Sequence, residues 1–141
     1  MIKKIIRAYV LMFEFIDLFF TLSPKYKGEA RIKIFGRPHF KGGPATKHDQ
    51  MRPILARRGR PYSTLHCFSA IYVPLWMVKV LKWRGARLVV NQNGVAYPAW
   101  QPYGYQKKNK WLRDLNQMAD HVFFQSKFAL QSYQDWVSPE L

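Results

Sequence analysis

The residues best suited to binding chemistry lie in one short segment, NQNGVAYPAW, residues 91–100. Asn93 carries an amide that both donates and accepts hydrogen bonds, and Gly94 lets a ligand approach the backbone closely. Tyr97 and Trp100 add aromatic faces, and amides beside aromatic rings suit the hydroxyl groups and C–H faces of a sugar. A plain turn with locally packed rings has the same composition. The segment therefore predicts either a sugar-binding loop or a turn.

A second loop, GRPHFKGGPATKH at residues 36–48, has a composition that suits an anion. Gly42 and Gly43 let backbone N–H groups approach a ligand, and the N-terminus of a following helix favours negative charge. The segment contains neither the GxxxxGK[ST] nor the GxGxxG pattern of known phosphate-binding loops. Glycine pairs also occur at such turns for geometric reasons, so both interpretations stay open. The side chains that would add positive charge are Arg37, Lys41, Lys47 and His48.

The four histidines and the single cysteine indicate no metal site, because none of them has a neighbour at the spacing of metal ligands. His39 and His48 lie in or beside the glycine loop and are the candidates for a proton-transfer or binding role. His66 and His121 fall in predicted strands, where a histidine is more often packed in the core. Cys67 has no partner for a disulfide, which fits a reducing, cytoplasmic compartment.

Apolar periodicity alternates between short β-branched runs and amphipathic stretches. It predicts strands at residues 31–35, 62–69, 87–92 and 121–126, and helices at 45–58, 71–85, 105–119 and 127–136. Repeated strand–helix units predict an α/β fold, a Rossmann-like parallel sheet flanked by helices. The carboxyl ends of parallel strands meet at one edge of such a sheet, and ligands bind there. We therefore expect the glycine loop and the aromatic loop at the same edge.

Residues 1–24 form an additional apolar segment, followed by a polar linker at 25–30 and the predicted Rossmann-like domain at 31–141. A helix lying on a membrane or docked in a hydrophobic groove is favoured, because it tolerates a narrow polar stripe. A spanning helix would bury two acidic side chains in the bilayer, and packing against the core is the third alternative. The charged residues of the stripe are Lys3, Arg7, Glu14 and Asp17.

The chain has 23 Lys and Arg against 8 Asp and Glu, a formal net charge of +15. Such a balance indicates an anionic partner, which would be nucleic acid, an anionic membrane surface or a phosphate-bearing molecule. The charges are spread along the sequence, so the basic surface is expected on the folded domain. Basic and aromatic residues interleave at 103–111 in a way that could stack bases. Lys107, Lys108 and Lys110 are most simply the solvated face of a helix.

Three segments together resemble the N-terminal domain of a GT-B glycosyltransferase of the family 4 (group 1) type. They are RIKIFGRPHFKGGPATKH, a strand and a glycine loop; RLVVNQNGVAYPAW, a strand and an aromatic loop; and ADHVFFQSKFALQS. The last is the most specific, since it is similar to the family's Ala-Asp, apolar strand, Ser-x-Phe element. Each segment is weak alone, and their order along the chain carries the resemblance.

The resemblance implies hexosyl transfer from a nucleotide-sugar donor to a glycan or lipid-linked acceptor, without a metal or another cofactor. In this family the N-terminal domain mainly binds the acceptor, and positioned donors stabilise the charge on the leaving diphosphate. By the same resemblance three groups of residues acquire roles: the donor-phosphate loop (Gly42, Gly43 and Lys47), the acceptor-side loop (Asn93, Gly94, Tyr97 and Trp100) and a turn facing the cleft (Ser126 and Lys127).

The family continues into a donor-binding domain with paired glutamates, whereas this sequence ends at SPEL. The expectation is thus an acceptor-side half that transfers no sugar alone, from a truncated or split gene product or with a partner chain that supplies the rest. Two other classes compete, a basic nucleic-acid-binding module and a non-catalytic accessory protein on a membrane surface. The expected location is cytoplasmic, with peripheral attachment to the inner face of the cell membrane.

Overall fold

A computed structural model describes residues 2–23, 31–36, 42–56 and 60–139. Helices and strands alternate along these residues, as the periodicity predicts. The elements are α1 (Ile2–Thr21), β1 (Ile32–Ile34), α2 (Gly43–Ala56), β2 (Thr64–Phe68), α3 (Leu75–Trp83), β3 (Arg87–Gln92), α4 (Tyr105–Gln117), β4 (His121–Phe124) and α5 (Lys127–Trp136). The predicted linker at 25–30 lies outside the described residues.

The four strands pair side by side in the order β1-β2-β3-β4, and every pairing is parallel. β2 and β3 are the central strands, and all five residues of β2 are buried, as expected for a strand inside a parallel sheet. Leu65 pairs with Leu88, and Val90 with Val122, so the carboxyl ends of the strands meet at one edge. The predicted Rossmann-like parallel sheet flanked by helices is confirmed.

The two faces of the sheet are covered by different helices, because side chains of successive strand residues point to opposite faces. The main core lies on one face, where α1, α3 and α4 pack on the central strands; its fully buried members include Leu18, Leu65, Cys67, Val78, Leu81, Leu88, Val90 and Leu115. On the opposite face α2 packs through Met51 and Leu55 on Ile34 and Phe68. In the described part of the chain, this second layer packs on the carboxyl-terminal residues of β1 and β2.

Among the described residues no helix packs on the part of the second face that belongs to β3 and β4. Val89, His121 and Phe123 line a groove of about 510 Å³ there. His121 is exposed, and its ring centroid lies 4.3 Å from that of Phe123. The prediction that His121 packs in the core is wrong, because β4 is an edge strand and no helix among the described residues covers this side of it.

The predicted helix at 71–85 begins only at Leu75. Pro74 disfavours helical backbone angles at the residue before it, so Val73 stays outside the helix and packs, fully buried, in the core. The other end is as the sequence predicts. Gly85 adopts a φ of +92°, and its N–H donates a hydrogen bond of 2.7 Å to the carbonyl three residues earlier.

One face of α1 belongs to the main core. Leu18 is fully buried, and Leu22, just beyond the helix, forms a parallel bridge with Tyr62. Asp17 of the polar stripe pairs with Arg60. Core packing therefore describes part of α1, while another of its faces is exposed. Within the described ranges no helix has the length and apolar character needed to cross a membrane.

Asp120 joins three elements at the amino edge of the sheet. Its Oδ2 accepts a hydrogen bond of 2.6 Å from the N–H of Leu88 and one of 2.7 Å from Lys82 Nζ. Desolvation alone would raise the pKa of this carboxyl group, but the two hydrogen bonds and the charges of Lys82 and Arg87 outweigh it and hold the pKa below its usual value. The Ala-Asp pair of the resemblance thus has a structural role here, away from the carboxyl edge.

Replacing Asp120 with Asn should lower the free energy of unfolding by about 1–2 kcal/mol, because charged hydrogen bonds are lost at a partly exposed position. A depressed carboxyl pKa stabilises the fold above the unfolded pKa of about 4 and loses that contribution as pH falls through the folded pKa. The difference between wild type and variant should therefore shrink below about pH 4. Urea unfolding followed by circular dichroism measures both effects.

The matched control is Asp114→Asn, which removes an exposed ion pair with Lys110 on α4. It should change the free energy of unfolding by less than about 0.5 kcal/mol. An equal loss of unfolding free energy in the two variants would show that the hydrogen bonds of Asp120 to Leu88 and Lys82 do not stabilise the fold.

Candidate functional site

Ser69 ties the carboxyl ends of β2 and β3 together. Its N–H donates to the carbonyl of Asn91 at 3.0 Å, and its Oγ accepts a hydrogen bond of 2.9 Å from the N–H of Asn93. These bonds determine where the chain leaves the sheet after β3. The sequence marks Ser69 only as the junction after a strand, since a serine at that place is too common to indicate a role.

A row of amide side chains extends this edge to β4. Gln125, just after β4, donates through Nε2 to Oδ1 of Asn91 at 2.9 Å and also to Oδ1 of Asn93. Because Oδ1 of Asn93 faces Gln125, its Nδ2 group is left to donate elsewhere. The carboxyl ends of three strands are thus joined by side chains that lie in or beside the predicted loops.

The middle amide of the NQN motif has a structural role. Gln92 is fully buried, its Nε2 donates to the carbonyl of Gly94 at 2.7 Å, and its Oε1 accepts a hydrogen bond of 3.2 Å from Asn116. The side chain therefore bends the chain back over the end of β3. Of the three amides in the motif, only those of Asn91 and Asn93 face the edge of the sheet.

Asn109 of α4 holds the next part of the same loop. Its Oδ1 accepts a hydrogen bond of 3.1 Å from the N–H of Ala96, and its Nδ2 donates to the carbonyls of Ala96 at 2.7 Å and Trp136 at 3.2 Å. The residue is buried although it lies on an amphipathic helix. No periodicity in the sequence distinguishes it from the polar residues of the exposed face.

Aromatic rings form the outer wall of the loop. The ring centroids of Tyr97 and Trp100 lie 6.4 Å apart, and Tyr97 lies 6.3 Å from Trp136. Trp100 is 61% exposed, so most of its surface is available for contact. The rings pack locally, as the turn interpretation expects, and Trp100 still keeps most of its surface exposed.

Lys108 lies against this wall. Its Nζ is 4.7 Å from the centroid of Trp100, within the range of a cation–π contact. The side chain is half-buried, and desolvation lowers the pKa of its ammonium group. The expectation that Lys108 belongs to a solvated helix face is therefore wrong, whereas Lys107 is exposed and Lys110 pairs on the surface with Asp114.

Two adjoining cavities open at the carboxyl edge, and they share Ser69, Ala70 and Lys108. We call them together the carboxyl-edge cleft. The smaller cavity, of about 320 Å³, is also lined by all four predicted acceptor-loop residues: Asn93, Gly94, Tyr97 and Trp100. The larger cavity, of about 460 Å³, is bounded mainly by the first turns of α4 and by the segment before α3; its other lining residues include Tyr72, Leu75, Lys107 and Trp111.

Trp111 anchors the wall of the larger cavity. Its Nε1 donates to the carbonyl of Val73 at 3.0 Å, and its ring lies 5.3 Å from that of Tyr72. The indole is therefore fixed, and its apolar surface contributes to the cleft beside the three lysines of α4. A concave site with fixed aromatic walls and few polar groups is typical of small-ligand binding.

Gly42 and Gly43 of the glycine loop follow β1 and precede α2, and neither of them lines the cleft. Gly42 has a φ of +137°, and Gly43 begins α2; both are exposed, with open space where a Cβ would stand. β1 and β3 are two strands apart, about 10 Å at the usual spacing. Lys47 is half-buried. The pKa of His66 is lowered mainly by the burial of His66 itself and, to a smaller extent, by the positive charge of Lys47.

The other predicted residues are less favourably placed. His48 is buried and packs 6.4 Å from the ring of Phe68, with Nδ1 2.9 Å from Asp49, so its imidazole is not presented to the cleft. His39 lies outside the described residues, as do Arg37 and Lys41. At the end of β4, Ser126 caps α5 by accepting a hydrogen bond of 3.1 Å from Ala129, and the exposed Lys127 begins that helix.

Neither Ser126 nor Lys127 lines the cleft. In the described part of the chain no group of three or more His, Cys, Asp or Glu side chains could hold a metal ion. Cys67 is buried in the core, and burial raises the pKa of its thiol to about 12, so it stays protonated. Comparison with protein-family models, with curated proteins and with solved structures finds no match to this chain.

Replacing Asn109 with Ala should lower the free energy of unfolding by about 2–3 kcal/mol, because backbone groups of a buried loop lose their partners. The amide proton of Ala96 should also exchange with solvent faster, since its acceptor is gone. Hydrogen exchange measured by NMR tests this directly. Gln106→Ala, on the exposed side of α4, is the control and should leave that proton protected. Unchanged exchange at Ala96 in the Asn109 variant would show that the loop is held by other means.

Proposed function

We propose that this chain is the acceptor-side domain of a glycosyltransferase and that the carboxyl-edge cleft holds the sugar acceptor. The observation that carries the proposal is the smaller cavity, where Asn93, Tyr97, Trp100 and Lys108 surround one space at the carboxyl ends of parallel strands. Ligands of open α/β sheets bind at this edge. The resemblance to GT-B enzymes of family 4 gives the same loop to the acceptor.

The chemistry of the four side chains fits a hexose. The exposed indole of Trp100 offers an apolar surface for the C–H groups of a sugar ring, and the Nδ2 donor of Asn93 suits a ring hydroxyl. Lys108 donates from beside the indole and, being half-buried, it interacts more strongly with an oxygen ligand than an exposed lysine would. An acceptor with hydroxyl groups and an acidic group would use all of these contacts.

The glycine loop suits the donor side of the same reaction. Gly42 and Gly43 stand exposed at the N-terminus of α2, where backbone N–H groups and the helix dipole favour a phosphate. In this proposal the diphosphate of a nucleotide-sugar approaches this end of the sheet, and a donor-binding domain or partner chain supplies the other contacts. Charge on the leaving diphosphate would then be stabilised by positioned donors and not by a metal.

The proposed location is the cytoplasm, where nucleotide-sugars are available to a chain whose single cysteine is buried and reduced. A lipid-linked acceptor would bring the site to the inner face of the cell membrane. A nucleic-acid-binding role has less support, since Lys110 of the basic and aromatic segment is engaged in a surface ion pair with Asp114.

Saturation-transfer NMR with glucose, galactose, N-acetylglucosamine, lactose and glucuronic acid tests acceptor binding. We expect at least one of these sugars to bind, and Trp100→Ala and Lys108→Met each to weaken that binding about tenfold through loss of the stacking face or of the donor. Tyr103→Ala is the control, since Tyr103 is 90% exposed and lines neither cavity.

Two outcomes would contradict the proposal. One is the absence of binding by every sugar in the panel, and the other is binding that all three variants retain. A titration with single-stranded DNA distinguishes the nucleic-acid alternative, which predicts steep dependence on salt and loss of binding with the lysine variant.

A further inference from the structure

A second apolar surface lies on the outer side of α1. At 100° per residue, seven large apolar side chains fall within about 120° of the helix circumference and are all exposed. Phe13 and Phe20 are 70% and 77% exposed. The remaining members are Ile5, Ile6, Tyr9, Met12 and Ile16. The residues that pack in the core occupy a different arc, so the stripe is not a by-product of core packing.

α3 extends the stripe sideways. Trp76, Lys79 and Trp83 follow one another at helical spacing on its exposed face, with Trp76 51% and Trp83 81% exposed. The ring centroid of Trp76 lies 5.2 Å from that of Phe15 on α1. The two exposed faces are therefore neighbours, and we call them together the α1–α3 surface.

The end of this surface is held by Arg84. Its guanidinium lies 4.8 Å from the ring centroid of Phe19, and its Nη2 donates to the carbonyl of Phe19 at 3.2 Å. The exposed Trp83 is the adjacent residue, so it stands at the same end of α1 as Phe20. Helix α1 measures about 30 Å at 1.5 Å per residue, which makes the surface long as well as apolar.

Positive charge borders the surface on α3, where Lys79 is exposed between Trp76 and Trp83, and Arg84 directly follows the helix. The sequence of α1 also contains Lys3, Lys4 and Arg7. Of the acidic residues in α1, Asp17 pairs with Arg60. No charged residue of α1 falls within the arc of the seven exposed apolar side chains, so charge does not interrupt the stripe.

We propose that the α1–α3 surface binds an anionic lipid bilayer, with α1 lying in the plane of the membrane interface. Tryptophan is enriched at that level of a bilayer, and a lysine beside it can extend its ammonium group to the headgroups. Lys79 between the two tryptophans and the net charge of +15 complement anionic lipid. A second copy of this chain would bring like charges together, and so fits the surface less well.

The inference does not rest on the proposed sugar-binding function, because a different face of the molecule carries it. Its assay contains neither sugar nor nucleotide, so the two proposals can fail separately. Co-sedimentation with phosphatidylcholine vesicles, with and without about 30 mol% phosphatidylglycerol, measures binding of the full chain. We expect binding to the anionic vesicles and at least tenfold weaker binding to the neutral ones.

The test variant is Phe13→Ser with Phe20→Ser, which removes two exposed rings without changing charge. It should lose at least about tenfold in affinity for anionic vesicles. The matched control is Phe123→Ser with Phe128→Ser, since these rings are 52% and 76% exposed on β4 and α5. The control should bind as the wild type does. Circular dichroism of all three proteins establishes that each is folded.

Several results would overturn the proposal. An equal loss of affinity in both double variants would show that any exposed apolar side chain contributes to vesicle binding, wherever it lies on the protein. Undiminished binding of the α1 variant would show that the α1–α3 surface does not bind the vesicles. A stable dimer in sedimentation velocity that dissociates on changing Phe13 and Phe20, together with no binding to vesicles, would assign the surface to a second copy of the chain.

Discussion

A buried amide has to be hydrogen-bonded, and this constraint at Gln92 determines how the chain leaves its central strand. The side chain is fully buried, and its partners are the carbonyl of Gly94 and the amide of Asn116. The backbone after β3 must therefore turn back toward α4, where Asn109 binds both backbone groups of Ala96. Gln92 and Asn109 thus hold the loop at two points, and Tyr97 and Trp100 follow on the outer side. Side chains held in place in this way are suited to a binding site.

The two edges of the sheet differ in how closely side chains fill them. At the amino edge Asp120 joins α3, β3 and the start of β4 through charged hydrogen bonds. At the carboxyl edge Ser69 and Gln125 connect the strand ends but leave a concave space above them. Loops that a rigid scaffold positions in this way are the common place for binding residues. The Ala-Asp segment that contributes most to the resemblance therefore contributes to stability here, and the cleft owes its chemistry to the aromatic loop.

The sequence predicts the fold well, because short β-branched runs and amphipathic stretches report directly on burial. It also predicts the loop with Asn93 and Trp100, since residues that leave a buried strand must lie at its end. Lys108 could not be predicted as a cleft residue: its half-burial depends on Trp100, which arrives from another loop. The burial of Asn109 could not be predicted either, because a polar residue on an amphipathic helix normally faces water. The late start of α3, by contrast, can be predicted from Pro74, because a proline disfavours helical backbone angles at the residue before it.

The central claim, that the carboxyl-edge cleft binds a sugar, can be tested with the five tryptophans of the chain as reporters. Trp100 and Trp111 line the cleft, whereas Trp76 and Trp83 lie on the α1–α3 surface. A ¹H–¹⁵N correlation spectrum recorded during titration with the sugar that binds in saturation transfer follows every indole N–H separately. If the carboxyl-edge cleft binds the sugar, the indole N–H signal of Trp100 shifts with the sugar concentration, while the chemical shifts of Trp76 and Trp83 do not change. Shifts confined to Trp76 and Trp83, with Trp100 unchanged, would contradict this claim.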